Sequence, residues 1–135
     1  MITYQFSGNV EQLMPDSAPP SDVPLASCSQ FDFHQRLPDM TGTALVVFTS
    51  PDCGSCRHLR GVMQLVHRLE PTWHLLEIDA QRESGLASEF EVFHLPTLFL
   101  FFDGQFHCEL LAEARPQAIV EAVRAALKQP PSEAP

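Results

Sequence analysis

The chain has 135 residues, 44% of them hydrophobic, with 17 acidic against 8 basic side chains and a formal charge of −9. That length suits one domain with a real core, and the acidity argues against sequence-independent binding to nucleic acid or anionic membranes, which need clustered Lys and Arg. Four cysteines are too few for a disulfide-built scaffold, and no basic-then-apolar leader or ~20-residue apolar run is visible, so a reducing, cytoplasmic setting is expected.

Residues 1–27 read as an N-terminal arm: a strand-like piece, Ile2 to Phe6, then a proline-rich stretch with Pro15, Pro19, Pro20 and Pro24. Ser29 is a candidate cap for a short helix carrying Phe31, Phe33 and Leu37, ended before Pro38. Thr43 to Thr49 is continuously apolar rather than alternating, the pattern of a strand buried on both faces.

From Gly54 to about Leu69, Leu59, Val62, Met63, Val66 and Leu69 recur at three- and four-residue steps, one helix face stopped by Pro71. Trp73 to Ile78 predicts the next strand, ended by Asp79, whose expected role is turn or cap chemistry. Glu83 to Phe90 predicts a helix. Thr97 to Phe102 and Gln105 to Leu111 predict an antiparallel hairpin closed by Asp103-Gly104. Pro116 opens a last helix with Ile119, Val120, Val123 and Leu127 inward, and residues 129–135 read as a disordered tail. The order β–α–β–α–β–β–α predicts an α/β fold with a mixed sheet covered on both faces. Ten Phe against one Trp and one Tyr predict a Phe-packed interior.

The chemistry concentrates at Cys53-Gly54-Ser55-Cys56, where an apolar strand gives way to a helix. Two thiols at this spacing can close a small disulfide. The unpaired N–H groups and positive dipole end of a helix N-terminus favour a thiolate, the reactive form, so Cys53 is the candidate nucleophile. Arg57 could favour a nearby thiolate or simply be a solvated cation. A carboxylate at Asp52 disfavours the thiolate by like-charge repulsion, or instead serves as the helix N-cap. Metal binding by this pair, even with His58, is not expected, because structural zinc wants four ligands. Cys28 and Cys108 lie outside any motif and are expected as separate free thiols.

Val92-Phe93-His94-Leu95-Pro96-Thr97, the strand after it and Phe101-Phe102-Asp103-Gly104 complete a pattern that, with the Cys53/Cys56 pair, resembles the thioredoxin family over roughly residues 28–128. The resemblance implies a thioredoxin-like mixed sheet of four to five strands flanked by helices. It implies Cys53 as nucleophile, Cys56 as resolving thiol and Pro96 as a cis-proline facing them. Leu95 would pair through its backbone with an extended substrate segment, which Gly54 lets approach and Ser55 adjoins. His94 would lie near this site and titrate near neutrality.

Four departures from that family stand out. Asp52 replaces a Trp and Ser55 a Pro between the thiols; Ser55 predicts a more oxidising potential than a general reductase has. Val47, six residues before Cys53, replaces a buried Asp that assists deprotonation of the second cysteine, and Leu75 replaces its lysine partner. Gly61 stands where a kinking Pro is common. The expectation is thiol–disulfide exchange with protein or peptide thiols and disulfides. It would use no cofactor beyond the cysteine pair, in a monomer recharged by an external, dedicated disulfide reductase. A peptide-binding or chaperone-like module with little turnover is the competing reading.

Overall fold

The computed structural model describes residues 25–135; the strand expected at Ile2–Phe6 and most of the proline-rich arm lie outside them. Strands β1 (Ala26–Ser27), β2 (Thr43–Thr49), β3 (His74–Asp79), β4 (Thr97–Phe102) and β5 (Gln105–Leu110) form one mixed sheet in the order β1-β3-β2-β4-β5. β3 runs parallel to β1 and β2, while β4 is antiparallel to both β2 and β5. The helices are α1 (Phe33–Arg36, continued by a 3-10 turn, Leu37–Asp39), α2 (Gly54–Leu69), α3 (Ser84–Glu89) and α4 (Pro116–Leu127). This is the thioredoxin fold.

Strand β2 is the centre, with every residue buried. Its alternation divides the interior. Leu45 and Val47 face an aliphatic cluster with Leu59 and Met63 of α2 and Ile119 and Val123 of α4. Ala44, Val46 and Phe48 face the other side, under α1 and α3, where the aromatic residues gather. Phe48 meets Phe99 edge-on at 5.7 Å between centroids, and Phe101 meets Phe33 at 5.8 Å and Phe106 at 5.6 Å in the same way. Each such pair adds about 0.5–1.5 kcal/mol beyond its burial. The expected Phe-packed interior therefore describes one face of the sheet only.

Several boundaries differ from expectation. β1 takes Ala26 and Ser27, within the span read as arm, into register with Leu76 and Glu77. Ser29 does not cap α1. Its N–H and hydroxyl both donate to Asp32 Oδ1 at 3.0 Å, and Asp32 holds the N-cap position. Those donors keep the Asp32 carboxyl below the usual range. Phe31 therefore sits in the turn before the helix, 82% exposed rather than inward. Pro38 lies within the 3-10 turn instead of ending the helix before it. β3 starts at His74 rather than Trp73, and β5 ends at Leu110, leaving Leu111 exposed. Residues 129–135 carry no helix or strand; the Ser132 N–H donates to the His107 carbonyl at 2.6 Å, on β5.

Two glycines test these assignments. Gly104 closes the β4–β5 hairpin with φ +78, and an added Cβ would come within 2.6 Å of the Leu37 carbonyl oxygen. Gly61 lies inside α2, where an added Cβ meets nothing within 4 Å. Gly61→Ala should raise stability by about 0.5–1 kcal/mol, and Gly104→Ala should lower it by roughly 1–3 kcal/mol. Thermal and urea melts of the two variants read both signs.

Candidate active site

The chain leaves β2 through Thr49 and Ser50, both buried, and turns at Pro51-Asp52. Cys53 follows in an extended conformation, φ −101 and ψ 113, as the N-cap of α2. Its sulfur accepts the Cys56 N–H at 3.1 Å. An N-cap side chain must reach the second or third N–H of the helix. Asp52 stands one residue too early, so the cap considered for it belongs to Cys53.

Cys53 and Cys56 form a disulfide with their Cα atoms 5.2 Å apart. The two sulfurs differ in access: Cys53 is half-buried, whereas Cys56 is 0% exposed. Only Cys53 is open to an incoming thiol or disulfide. In the reduced state the Cys56 N–H, the helix dipole and the Ser55 hydroxyl, 3.7 Å away, all favour a Cys53 thiolate. Asp52, Gly54, Ser55 and Arg57 are exposed around it, and a Cβ on Gly54 would meet nothing within 4 Å. The helix N-terminus therefore presents open backbone to a partner.

The Leu95-Pro96 bond is cis. Thr97 pairs with Phe48, so the start of β4 lies beside the end of β2, and Pro96 shares the sheet end from which Cys53 projects. The Thr97 hydroxyl donates to the His94 carbonyl at 2.6 Å, fastening the loop before Pro96. A groove of about 320 Å³ runs past Pro96 and His94 between Leu59 of α2 and Leu110–Ala112 at the end of β5. Phe93 and Leu111, 88% and 82% exposed, add apolar surface at its margins. Leu95 is half-buried.

Val47 and Leu75 are buried, 1% and 3% exposed, among aliphatic neighbours. Sequence reasoning did not find the charged group nearby. Glu77, the register partner of Val47, accepts hydrogen bonds from Thr49 Oγ1 and Arg60 Nε, each at 2.6 Å. The one available signal was Arg60 itself, four residues after Cys56 and so on the same helix face. Asp79 does turn chemistry as expected, its Oδ1 accepting the N–H groups of Gln81 and Arg82. Among the described residues no cluster of three or more His, Cys, Asp or Glu is placed to hold a metal ion, and no helix is long and apolar enough to cross a membrane.

The two remaining cysteines are free and lie at opposite edges of the sheet, Cys28 after β1 and Cys108 in β5. Burial, reinforced by a hydrogen bond to Asp32, pushes the Cys28 thiol up to about 11; burial also raises Cys108. A thiol raised in the folded state holds its proton where the unfolded chain has lost it, so stability falls as pH rises above 9. Wild type should lose on the order of 1 kcal/mol more than Cys28→Ala between pH 9 and 11. Urea melts across that range provide the comparison.

The thioredoxin family model matches residues 24–125. Protein disulfide-isomerase A3 of Gallus gallus is 33% identical over 90 residues, covering 66% of this chain and 17% of that protein. Thioredoxin of Staphylococcus aureus is 33% identical over 66 residues, 48% of this chain and 64% of that one. The chain thus spans less than two thirds of the length of these relatives. Among solved structures, oxidised mitochondrial thioredoxin 3 of Saccharomyces cerevisiae superposes with a TM-score of 0.67 at 20% identity, over 78% of this chain and 98% of its own. That likeness concerns the fold, while the family match covers most of the sequence, including both cysteines and Pro96. The chain belongs to the thioredoxin family.

Proposed function

We propose that this protein is a thiol–disulfide oxidoreductase that exchanges its Cys53/Cys56 dithiol with disulfides of protein or peptide clients. The observation that carries this reading is the unequal access of the two sulfurs at the α2 N-terminus, beside the cis-Pro96 groove. The Cys53 thiolate attacks one sulfur of a client disulfide, and the client's other sulfur leaves as a thiolate that takes up a proton. Cys56 then attacks Cys53 Sγ, the mixed disulfide breaks, and the second client thiol departs. Two electrons pass to the client, and the Cys53–Cys56 disulfide remains.

Regeneration needs an external dithiol. Asp52 and Ser55 lie exposed around Cys53, where any regenerating protein must dock. These departures at the docking face favour a dedicated reductase; we place it with a monomer in a reducing compartment such as the cytoplasm, in keeping with a cysteine count too low for a disulfide-built scaffold. The same exposed positions support a potential less negative than the ~−270 mV of thioredoxin. A module that only holds peptides is the competing reading, favoured by the apolar Val47 and Leu75.

Insulin reduction with dithiothreitol separates the two readings. Wild type should accelerate precipitation, and Cys53→Ser should match the uncatalysed rate. Equal rates for the two proteins would leave only the peptide-binding reading. Titration in glutathione buffers then measures the potential of the dithiol.

A further inference from the structure

Strands β1, β2 and β3 run parallel, so their carboxyl ends share the sheet end at which Cys53 emerges. There the connections part. The helix after β2, α2, packs on the aliphatic face, and the helix after the neighbouring β3, α3, packs on the aromatic face. Adjacent parallel strands whose connections leave on opposite faces open a crevice beyond their ends, the place where open α/β sheets bind ligands. A cavity of about 520 Å³ lies in that crevice. Its walls are Thr49 to Pro51 at the end of β2, Asp79, Arg82 and Glu83 after β3, and Ser27 to Ser29 on the side of β1. Neither cysteine of the dithiol lines it.

Two features of the lining point to a ligand. Ser50 is 7% exposed and lines the cavity, yet its hydroxyl makes no hydrogen bond among the described residues. Side chains so buried are ordinarily satisfied, and this one holds a donor and an acceptor ready for an entering group. The second feature is charge. Four carboxylates, Asp32, Glu77, Asp79 and Glu83, line the cavity with two guanidiniums, Arg60 and Arg82. Arg60 is taken by Glu77 at 2.6 Å, and Asp32 is held by Ser29, with Arg36 3.9 Å away. Asp79 and Glu83 accept only backbone N–H groups, from Gln81 and Arg82 and from Gln30. Among the described residues neither forms an ion pair, and nor does the exposed Arg82 side chain. Asp52, next to Pro51, adds another exposed carboxylate. The group that complements this lining carries positive charge and several N–H donors: an ammonium or a guanidinium.

We propose that this cavity is a client subsite that takes a Lys or Arg side chain lying close in sequence to the client cysteine that bonds to Cys53. The reach fits. Pro51 lines the cavity, and two Cα–Cα steps put it within about 7 Å of Cys53. A Lys or Arg side chain carries its charge on a stem of three or four carbons, enough to cover that span from beside the client cysteine. Its charged end meets Asp79, Glu83 and the Ser50 hydroxyl, on the other side of β2 from the Pro96 groove. The formal charge of −9 draws any cationic client toward the chain; the cavity selects those with the basic residue beside the disulfide. This inference rests on the oxidoreductase reading above and names the clients it favours.

The test measures the second-order rates at which the reduced protein reduces short peptide disulfides, dimers of Gly-Cys-Gly-X with Arg, Gln or Glu as X, read as release of peptide thiol. The Arg peptide should react roughly tenfold faster than the Gln peptide, the worth of one charge-assisted hydrogen bond, and the Glu peptide should be the slowest. Glu83→Gln keeps an oxygen for the Gln30 N–H and removes the charge, and Ser50→Ala removes the unpaired hydroxyl. Each should cut the Arg-to-Gln rate ratio several-fold; the ratio cancels any general loss of activity. Glu121→Gln removes the same charge from an exposed position on α4, outside the cavity, and should leave the ratio as in wild type.

Equal rates for the three peptides in wild type overturn the subsite alone. A ratio that survives in both Glu83→Gln and Ser50→Ala overturns it too. So does a ratio that falls as far in Glu121→Gln, because the preference then comes from the net charge of the whole chain. If neither cavity variant folds, wild type with N-acetylarginine amide as competitor takes their place. The competitor should slow the Arg peptide and spare the Gln peptide, and equal effects on both overturn the subsite. If no peptide disulfide reacts faster with wild type than with Cys53→Ser, the oxidoreductase reading fails and the subsite with it.

Discussion

β2 is hydrogen-bonded along both sides, to β3 from Ala44 through Thr49 and to β4 from Thr43 through Phe48, and it is buried on both faces. With its register set by two neighbours and by two different cores, it has no freedom to slip: a one-residue shift would exchange its aliphatic and aromatic faces. The position at which the chain leaves the sheet after Thr49 is therefore determined. Cys53 emerges there as the cap of α2. Through the Phe48–Thr97 pairing, cis-Pro96 is brought to the same end.

The two cores meet this constraint differently. On the aromatic side, the edge-on contact of Phe33 with Phe101 fixes α1 against the sheet, and Phe90 at the end of α3 meets Phe33 and Phe101 edge-on. The aliphatic side seats α2 and α4. On that side, near the end of the sheet, Thr49, Glu77 and Arg60 satisfy one another. A single buried charge would be costly, while a paired and hydrogen-bonded one at a cavity wall is tolerated. Val47 and Leu75 make the deep interior neutral, and the charge pair lies one strand over from Val47, at the edge of the apolar layer.

This displacement bears on the redox centre. Cys53 draws its activation from the helix end: a backbone N–H, a nearby hydroxyl and the dipole. Cys56, fully buried, gains nothing from solvent. The asymmetry that protects the resolving thiol from outside oxidants also isolates it from bulk solvent.

The elements from β2 onward, their order, the central buried strand and the dithiol were legible in the sequence, because each leaves a local trace: a continuous apolar run, a three-and-four-residue stripe, a turn dipeptide, a Cys pair at a strand–helix junction; the cis-proline came from the resemblance to the thioredoxin family. Errors fell where one residue decides a cap. Ser29 and Asp52 are both good caps by type, and the backbone path chose Asp32 and Cys53 instead. The separation of aromatic from aliphatic core, the parallel pairing of Ala26–Ser27 and the Thr49–Arg60–Glu77 network belong to tertiary structure alone. Glu77 and Arg60 are 17 residues apart and on different elements. No periodicity records such a contact, because it exists only once β3 lies beside β2 and α2 crosses over them.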